Sequence, residues 1–207
     1  MKNDKAEYTG KKANNFQRIR ELPANKQSIL SLVLLERMRP NYDLFVELTE
    51  FPQPFVMDNF VNRLWEHALV RGTKINFTTL EDKIEQMTPD ESDYDMYGVF
   101  PAIYYCTGLL TYINGFTNLE DYDPVAIAKI SQGSIVHLIE YQHADEDIEN
   151  SFIREHELML AEMDMLTELL NELEVYSLKG KKPQEIKQFF LDIAFADGTS
   201  NIGIELG

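Results

Sequence analysis

Apolar residues along this chain recur at helical spacings, and prolines and glycines cut the pattern into blocks. Proline is favoured in the first turn of a helix, where its missing N–H costs nothing, and glycine just past the last turn. That asymmetry predicts one helix per block. A short amphipathic piece runs from Phe16 to Glu21. Pro23 opens a segment to Met38 whose Ile29, Leu30, Leu32, Val33, Leu34 and Leu35 cover most of its circumference, the mark of a central helix. Pro40 opens the next, through Leu44, Phe45 and Leu48, and Pro54 opens Phe55 to Val70, which Gly72 stops.

Further on, Thr78 and Glu81 fit a capping box at the head of a stretch carrying Leu80, Ile84 and Met87. Pro101 opens Ala102 to Ile113, closed by Asn114-Gly115, and Asp123-Pro124 starts a helix reaching Gln142. The longest helix is expected over Ser151 to Val175, and Pro183 opens a last one that ends before Gly198. No segment sustains period-two alternation, so no β-sheet is expected. The predicted fold is all-α: a single compact domain over residues 15–207, bundle-like, with about eight or nine helices. Residues 1–14 are expected to form a flexible basic tail.

Composition narrows the class. With 10 Gly, 8 Pro and 1 Cys in 207 residues, the chain is neither collagen-like nor disordered nor a disulfide scaffold. The lone Cys106 sits in an apolar helix between Tyr105 and Thr107, where a thiol acts as a small hydrophobe. Met1 to Asn15 lacks the apolar core of a signal peptide. The longest nearly apolar stretch, Ala102 to Ile113, is too short to span a bilayer. A cytoplasmic protein with no membrane partner is expected.

The net charge is −16, and it is uneven: residues 1–39 carry nine Lys/Arg against four Asp/Glu, the remainder ten against thirty-one. Such a surface repels phosphate backbones, so direct nucleic-acid binding is not expected, and a basic partner fits better. Residues 140–174 concentrate twelve acids against the single basic residue Arg154. This strip, represented by Glu162, Glu168 and Glu172, is either a solvated helix face or a surface that caps a basic protein or imitates a nucleic acid. Phe152, His156, Met159, Met163, Leu166, Leu170 and Leu173 form a heptad-like seam, read as intramolecular packing with a homodimer interface as the alternative.

His137, Glu140 and His143 offer a Glu-x-x-His pair. Carboxylate-bridged di-iron bundles need a matching pair on a second helix and further glutamates, and no other histidine here follows a glutamate by three. Ordinary polarity is the favoured reading, with a metal-binding bundle enzyme using Glu140 and His143 as the alternative. No cofactor is expected. No Gly-x-Ser-x-Gly elbow, phosphate loop or His-Glu-x-x-His is present, so no residue is assigned to catalysis.

Three stretches stand out from simple core patterning. Glu36-Arg37-Met38-Arg39-Pro40-Asn41-Tyr42 places two arginines and a tyrosine at an expected helix–helix joint. Tyr94 to Pro101 is an aromatic-rich lead-in containing Tyr97, and Ser200-Asn201-Ile202-Gly203-Ile204 is a small-residue tail. Such residues either satisfy helix ends or anchor an interface. With these stretches in this order, the chain resembles the YjaG-like family of small bacterial proteins, a domain of unknown function. The matching pieces are Glu36-Arg37-Met38 with Pro40-Asn41-Tyr42, Tyr97-Gly98-Val99 with Pro101-Ala102-Ile103, and Ser200 to Ile204.

The resemblance implies an all-α, single-domain cytoplasmic protein and brings no activity, cofactor or catalytic residue. The basic tail before Asn15 departs from the family pattern, and His137 and His143 do not belong to it. The expected function is a non-enzymatic interaction or adaptor domain for a macromolecular partner. The candidate partner-binding residues are Arg37, Arg39, Asn41, Tyr42, Tyr97, Glu162, Glu168 and Glu172.

Overall fold

A computed structural model describes residues 14–53, 56–118, 120 and 122–206. In chain order its helices are α1 (Asn15–Glu21), α2 (Ala24–Thr49), α3 (Met57–Leu69), α4 (Phe77–Met87), α5 (Val99–Thr117), α6 (Ala126–Gln142), α7 (Asn150–Glu155), α8 (Glu157–Val175) and α9 (Pro183–Ala194). A single 3-10 turn, Glu91–Asp93, precedes α5. The all-α expectation holds: among the described residues the only β-type pairing is one isolated bridge between Thr199 and Glu205. Residues 1–13 of the expected tail lie outside the described residues, and Asn14 caps α1, accepting the Gln17 N–H at 2.9 Å.

The longest helix is α2, at 26 residues, rather than the segment near residue 160. It is the axis of the molecule, touching α3, α5, α6, α8 and α9. Every residue from Ile29 to Met38 is buried, as a helix apolar nearly all round must be when neighbours surround it. Pro40 does not start a new helix but lies inside α2. A mid-helix proline costs about 3 kcal/mol through its missing hydrogen bond and its clash with the carbonyl four residues back. Met38 and Phe45, on either side, are at most 1% exposed, and full burial of each contributes roughly 1.5–3 kcal/mol. Continuity past Pro40 keeps both in the core, which offsets the proline.

The long acidic helix divides instead. At His156 the backbone turns extended, and the His156 Nδ1 accepts the Leu158 N–H at 3.3 Å, so the histidine caps α8. The bend lets Ile153 of α7 and Met159 of α8 join Ile135 and Ile139 in a small second core. Leu166, Leu170 and Leu173 of the expected seam are fully used by the main core, whereas Phe152 is 41% exposed. Other ends shift modestly. The cap of α4 is Asn76, which accepts the Thr79 N–H at 3.2 Å, because Thr78 already lies within the first turn. Helix α5 continues through Asn114-Gly115, where the Gly115 backbone closely faces the Tyr122 ring. Helix α3 starts at Met57; Pro54 and Phe55 lie outside the described residues. No helix of the described residues is long and apolar enough to cross a membrane.

Helices α2 and α5 approach closely at Gly108. A Cβ on Gly108 would stand 2.7 Å from the Leu35 Cδ2, so only glycine leaves this contact unstrained. Gly108→Leu is expected to lower stability by roughly 1–3 kcal/mol through overpacking, read as a lower urea midpoint. An unchanged midpoint would show that the α2–α5 crossing is not tight.

Candidate functional site

Arg37 lies on α2 where α8 and the segment after α9 converge, and it is 2% exposed. A guanidinium carries five N–H donors in a fixed fork, and a buried one must satisfy them. Its Nε donates to the Glu162 Oε2 at 3.3 Å and its Nη2 to the Asp197 Oδ2 at 2.6 Å. Its Nη1 reaches the Asp197 Oδ1 at 3.0 Å, the Thr199 carbonyl at 2.9 Å and the Ala194 carbonyl. Glu162, 1% exposed on α8, also accepts the Ser131 hydroxyl of α6 at 2.6 Å.

Asn201 completes the cluster. Its Oδ1 accepts from the Asn41 Nδ2 at 2.8 Å, and its own Nδ2 lies within 2.8 Å of the Ser134 Oγ and 3.1 Å of the Ser131 Oγ. One buried polar network thus joins α2, α6, α8 and the C-terminal segment. Two of the three distinctive stretches, around Arg37 and around Asn201, meet inside it.

Burial pushes the Glu162 carboxyl up, against the opposing hydrogen bond from Ser131 and the charge of Arg37. The hydrogen bonds from Arg37 hold Asp197 below the ordinary aspartate value. For Arg37, the hydrogen bond and charge of Asp197 and the charge of Glu162 together outweigh the desolvation that lowers its pKa. Asp197 and Glu162 about one guanidinium keep the cation charged. Buried ions survive only when paired and hydrogen-bonded on every side, so the chemistry here is that of a clamp.

This placement takes Arg37, Asn41, Tyr42 and Glu162 off the candidate partner-binding surface and leaves the first three the structural role that was the other reading of their stretch. Arg37, Asn41, Tyr42 and Glu162 are at most 2% exposed and face the interior. Tyr42 donates to the Met87 carbonyl at 3.2 Å and packs on Tyr105, ring centroids 5.4 Å apart. Because α2 runs unbroken past Pro40, the stretch is a helix interior, and one of its faces points into the core. Arg39 faces outward, half-buried, and pairs with Asp43 at 3.1 Å and Asp58 at 2.7 Å.

The acidic strip also divides. Residues six apart on a helix are displaced by about 120°. Glu168 is therefore exposed where Glu162 is buried, and Glu172 is half-buried. Glu157 and Asp164 share the exposed face with Glu168. Leu160 and Val175, also exposed, are 50% and 77% accessible.

The histidines find mainly aromatic company. His137 lies against Phe100 at 4.6 Å and Tyr97 at 5.7 Å, and Tyr97 also stacks on Tyr141 at 4.5 Å. The Tyr97 hydroxyl and the His137 Nδ1 are buried without a hydrogen-bond partner. His143 sits at the end of α6, its Nδ1 3.3 Å from the Glu146 Oε1 and its ring on Phe152, while Glu140 is exposed. Among the described residues no group of three or more His, Cys, Asp or Glu could hold a metal ion. Burial pushes the Cys106 thiol up to about 12, which leaves it protonated.

Ser131, Ser134 and Asp197 were not singled out from sequence, and Glu36, which opens the first distinctive stretch, was not among the candidate site residues; it accepts the Trp65 Nε1–H at 2.9 Å and pairs with Lys187 at 2.7 Å. A signal for Glu162 was available. Leu158, Met159, Met165 and Leu166 flank it at three and four residues on both sides, placing a carboxylate on an apolar face.

Residues 14–205 match the profile of a family described as protein of unknown function, DUF416. An uncharacterized protein of Haemophilus influenzae is 33% identical over 196 residues, covering 91% of this chain and 95% of its own. The uncharacterized protein YjaG of Escherichia coli is 28% identical over 171 residues, covering 83% and 86%. The crystal structure of a DUF416 family protein from Shewanella baltica has a TM-score of 0.82 at 27% identity, covering 94% of this chain and 100% of that one.

Arg37→Met should cost about 3–5 kcal/mol by stranding the Glu162 carboxylate, and Arg37→Met/Glu162→Leu should recover much of that loss. Urea midpoints of the two single and the double variant test this, and strict additivity would sink the clamp. The pH dependence has a definite sign. Asp197, whose pKa is lowered, contributes stability that is present above the ordinary aspartate value and lost as pH falls through its folded value. Glu162, whose pKa is raised, acts oppositely: its contribution is full below the ordinary glutamate value and declines as pH rises through its folded value. Asp197→Asn should therefore flatten the acid limb of a midpoint-against-pH curve, and an unaltered limb would contradict the pairing.

Proposed function

Since the chain belongs to the DUF416 family of proteins of unknown function, we propose that it is a non-enzymatic cytoplasmic interaction protein that presents the outer face of α8 to a basic macromolecular partner. The observation carrying this reading is the exposed row of Glu157, Asp164 and Glu168 with Leu160 and Val175 between and beyond them. Carboxylates on such a face steer and orient a cationic partner, and exposed apolar side chains supply area to bury on contact.

The opposite face of α8 supports the same reading. Leu166, Leu169, Leu170 and Leu173 are at most 1% exposed, and Glu162 is held by Arg37 and Ser131. A helix anchored along its whole inner side presents its outer side with little conformational freedom to lose, which favours binding. Arg39, Tyr97 and Glu172 are half-buried away from this face, and the cluster around Arg37 serves the fold.

Glu157→Lys/Asp164→Lys/Glu168→Lys should weaken capture of the partner from native cytosol by on the order of tenfold or more at moderate salt. Moderate salt removes diffuse attraction to the net charge, so a retained partner marks a built interface. Unchanged capture by a folded triple variant would remove the α8 face from consideration.

A further inference from the structure

Cations gather at one concavity of the molecule. Against a net charge of −16, the groove between the end of α3 and the start of α9 is lined by cations. It has two halves, of about 710 Å³ and about 450 Å³, which share Leu69, Val70 and Pro183. Arg63 and Lys187 line the larger half, Arg71 and Lys181 the smaller. Glu66 is the single acid among the described residues lining either half, and Arg63 already binds it at 2.9 Å.

The two halves differ in how their charge is held. Lys187 is positioned by the buried Glu36 at 2.7 Å and by Asn62 at 3.2 Å, and its ammonium stands 5.6 Å over the Trp65 ring. Arg71 and Lys181 have no carboxylate within ion-pair distance among the described residues, so their field is directed at whatever enters. Between the two cation pairs lies an apolar floor, with Val70 39% exposed.

We propose that this α3–α9 groove binds a small organic phosphate of nucleotide size. Its phosphate lies between Arg71 and Lys181, and its organic body covers Leu69, Val70 and Pro183 toward Asn59 and Gln184. Three features select this chemistry. Volumes of several hundred Å³ are those of small-molecule sites. Arginine and lysine together match the charge and the multiple acceptor oxygens of a phosphate. An apolar floor beside amide side chains suits a body with both a hydrophobic surface and a polar edge, which free phosphate lacks. No residue of α8 lines the groove, so the two proposals stand or fall separately.

The test is calorimetric titration of the full chain with adenosine 5′-monophosphate and glucose 6-phosphate, with adenosine and inorganic phosphate as component probes. At least one of the two organophosphates should bind saturably at one site, and about tenfold tighter than either component probe. Arg71→Ala/Lys181→Ala should weaken it by about tenfold or more, with the urea midpoint unchanged because both side chains are exposed. Saturable binding by neither organophosphate would overturn the proposal. So would equal affinity for inorganic phosphate, or affinity untouched by the double variant.

Discussion

The structure depends on one buried ion pair, Arg37 with Glu162, extended by Asp197. Neither member can be left alone in the interior, since an unpaired buried charge is far costlier than any single packing contact. Arg37 comes from the central helix, Glu162 from α8, and Asp197 from the segment after α9. Satisfying one guanidinium therefore brings three distant parts of the chain to one point. Ser131 and Asn201 then fill remaining donor and acceptor positions, which adds α6 and the C-terminal segment to the same network.

That arrangement gives α8 two characters. Its inner side is fastened by leucines and by the clamp, and its outer side is free, acidic and partly apolar. The break at His156 serves the same end, because it lets α7 and the start of α8 close the small second core without rotating the acidic face inward. The distinctive stretches around Arg37 and Asn201 are thereby understood as parts of the fold. Surfaces that face solvent must be sought elsewhere, on α8 and in the α3–α9 groove.

Charge is correspondingly segregated. The acids of α8 and the cations around Arg71 and Lys181 occupy different elements, and the net value of −16 hides that separation. Net charge describes the long-range field. A local cavity responds to the residues that line it, since charges beyond about one Debye length, near 8 Å at physiological ionic strength, are largely screened.

Sequence by itself determined the helical class, the positions of most helices and the centrality of residues 29–35, because apolar spacing and proline or glycine punctuation act locally. It also singled out Arg37, Asn41 and Ser200 to Ile204, and the family to which they point. It could not join Pro23–Met38 to the residues after Pro40, since the burial of Tyr42 and Phe45 beyond it is what makes a proline-bearing helix worthwhile. Nor could it divide the segment at His156, where the bend serves contacts with α6. Glu162 was grouped with Glu168 and Glu172 by proximity along the chain, although its apolar flanks marked it as inward-facing. The pairing of Arg37 with Glu162 and Asp197, and the meeting of Arg63, Arg71, Lys181 and Lys187 about one groove, were decided only by tertiary structure. These partners lie far apart in sequence, and no local pattern encodes which distant side chains the packing of helices will bring within hydrogen-bonding reach.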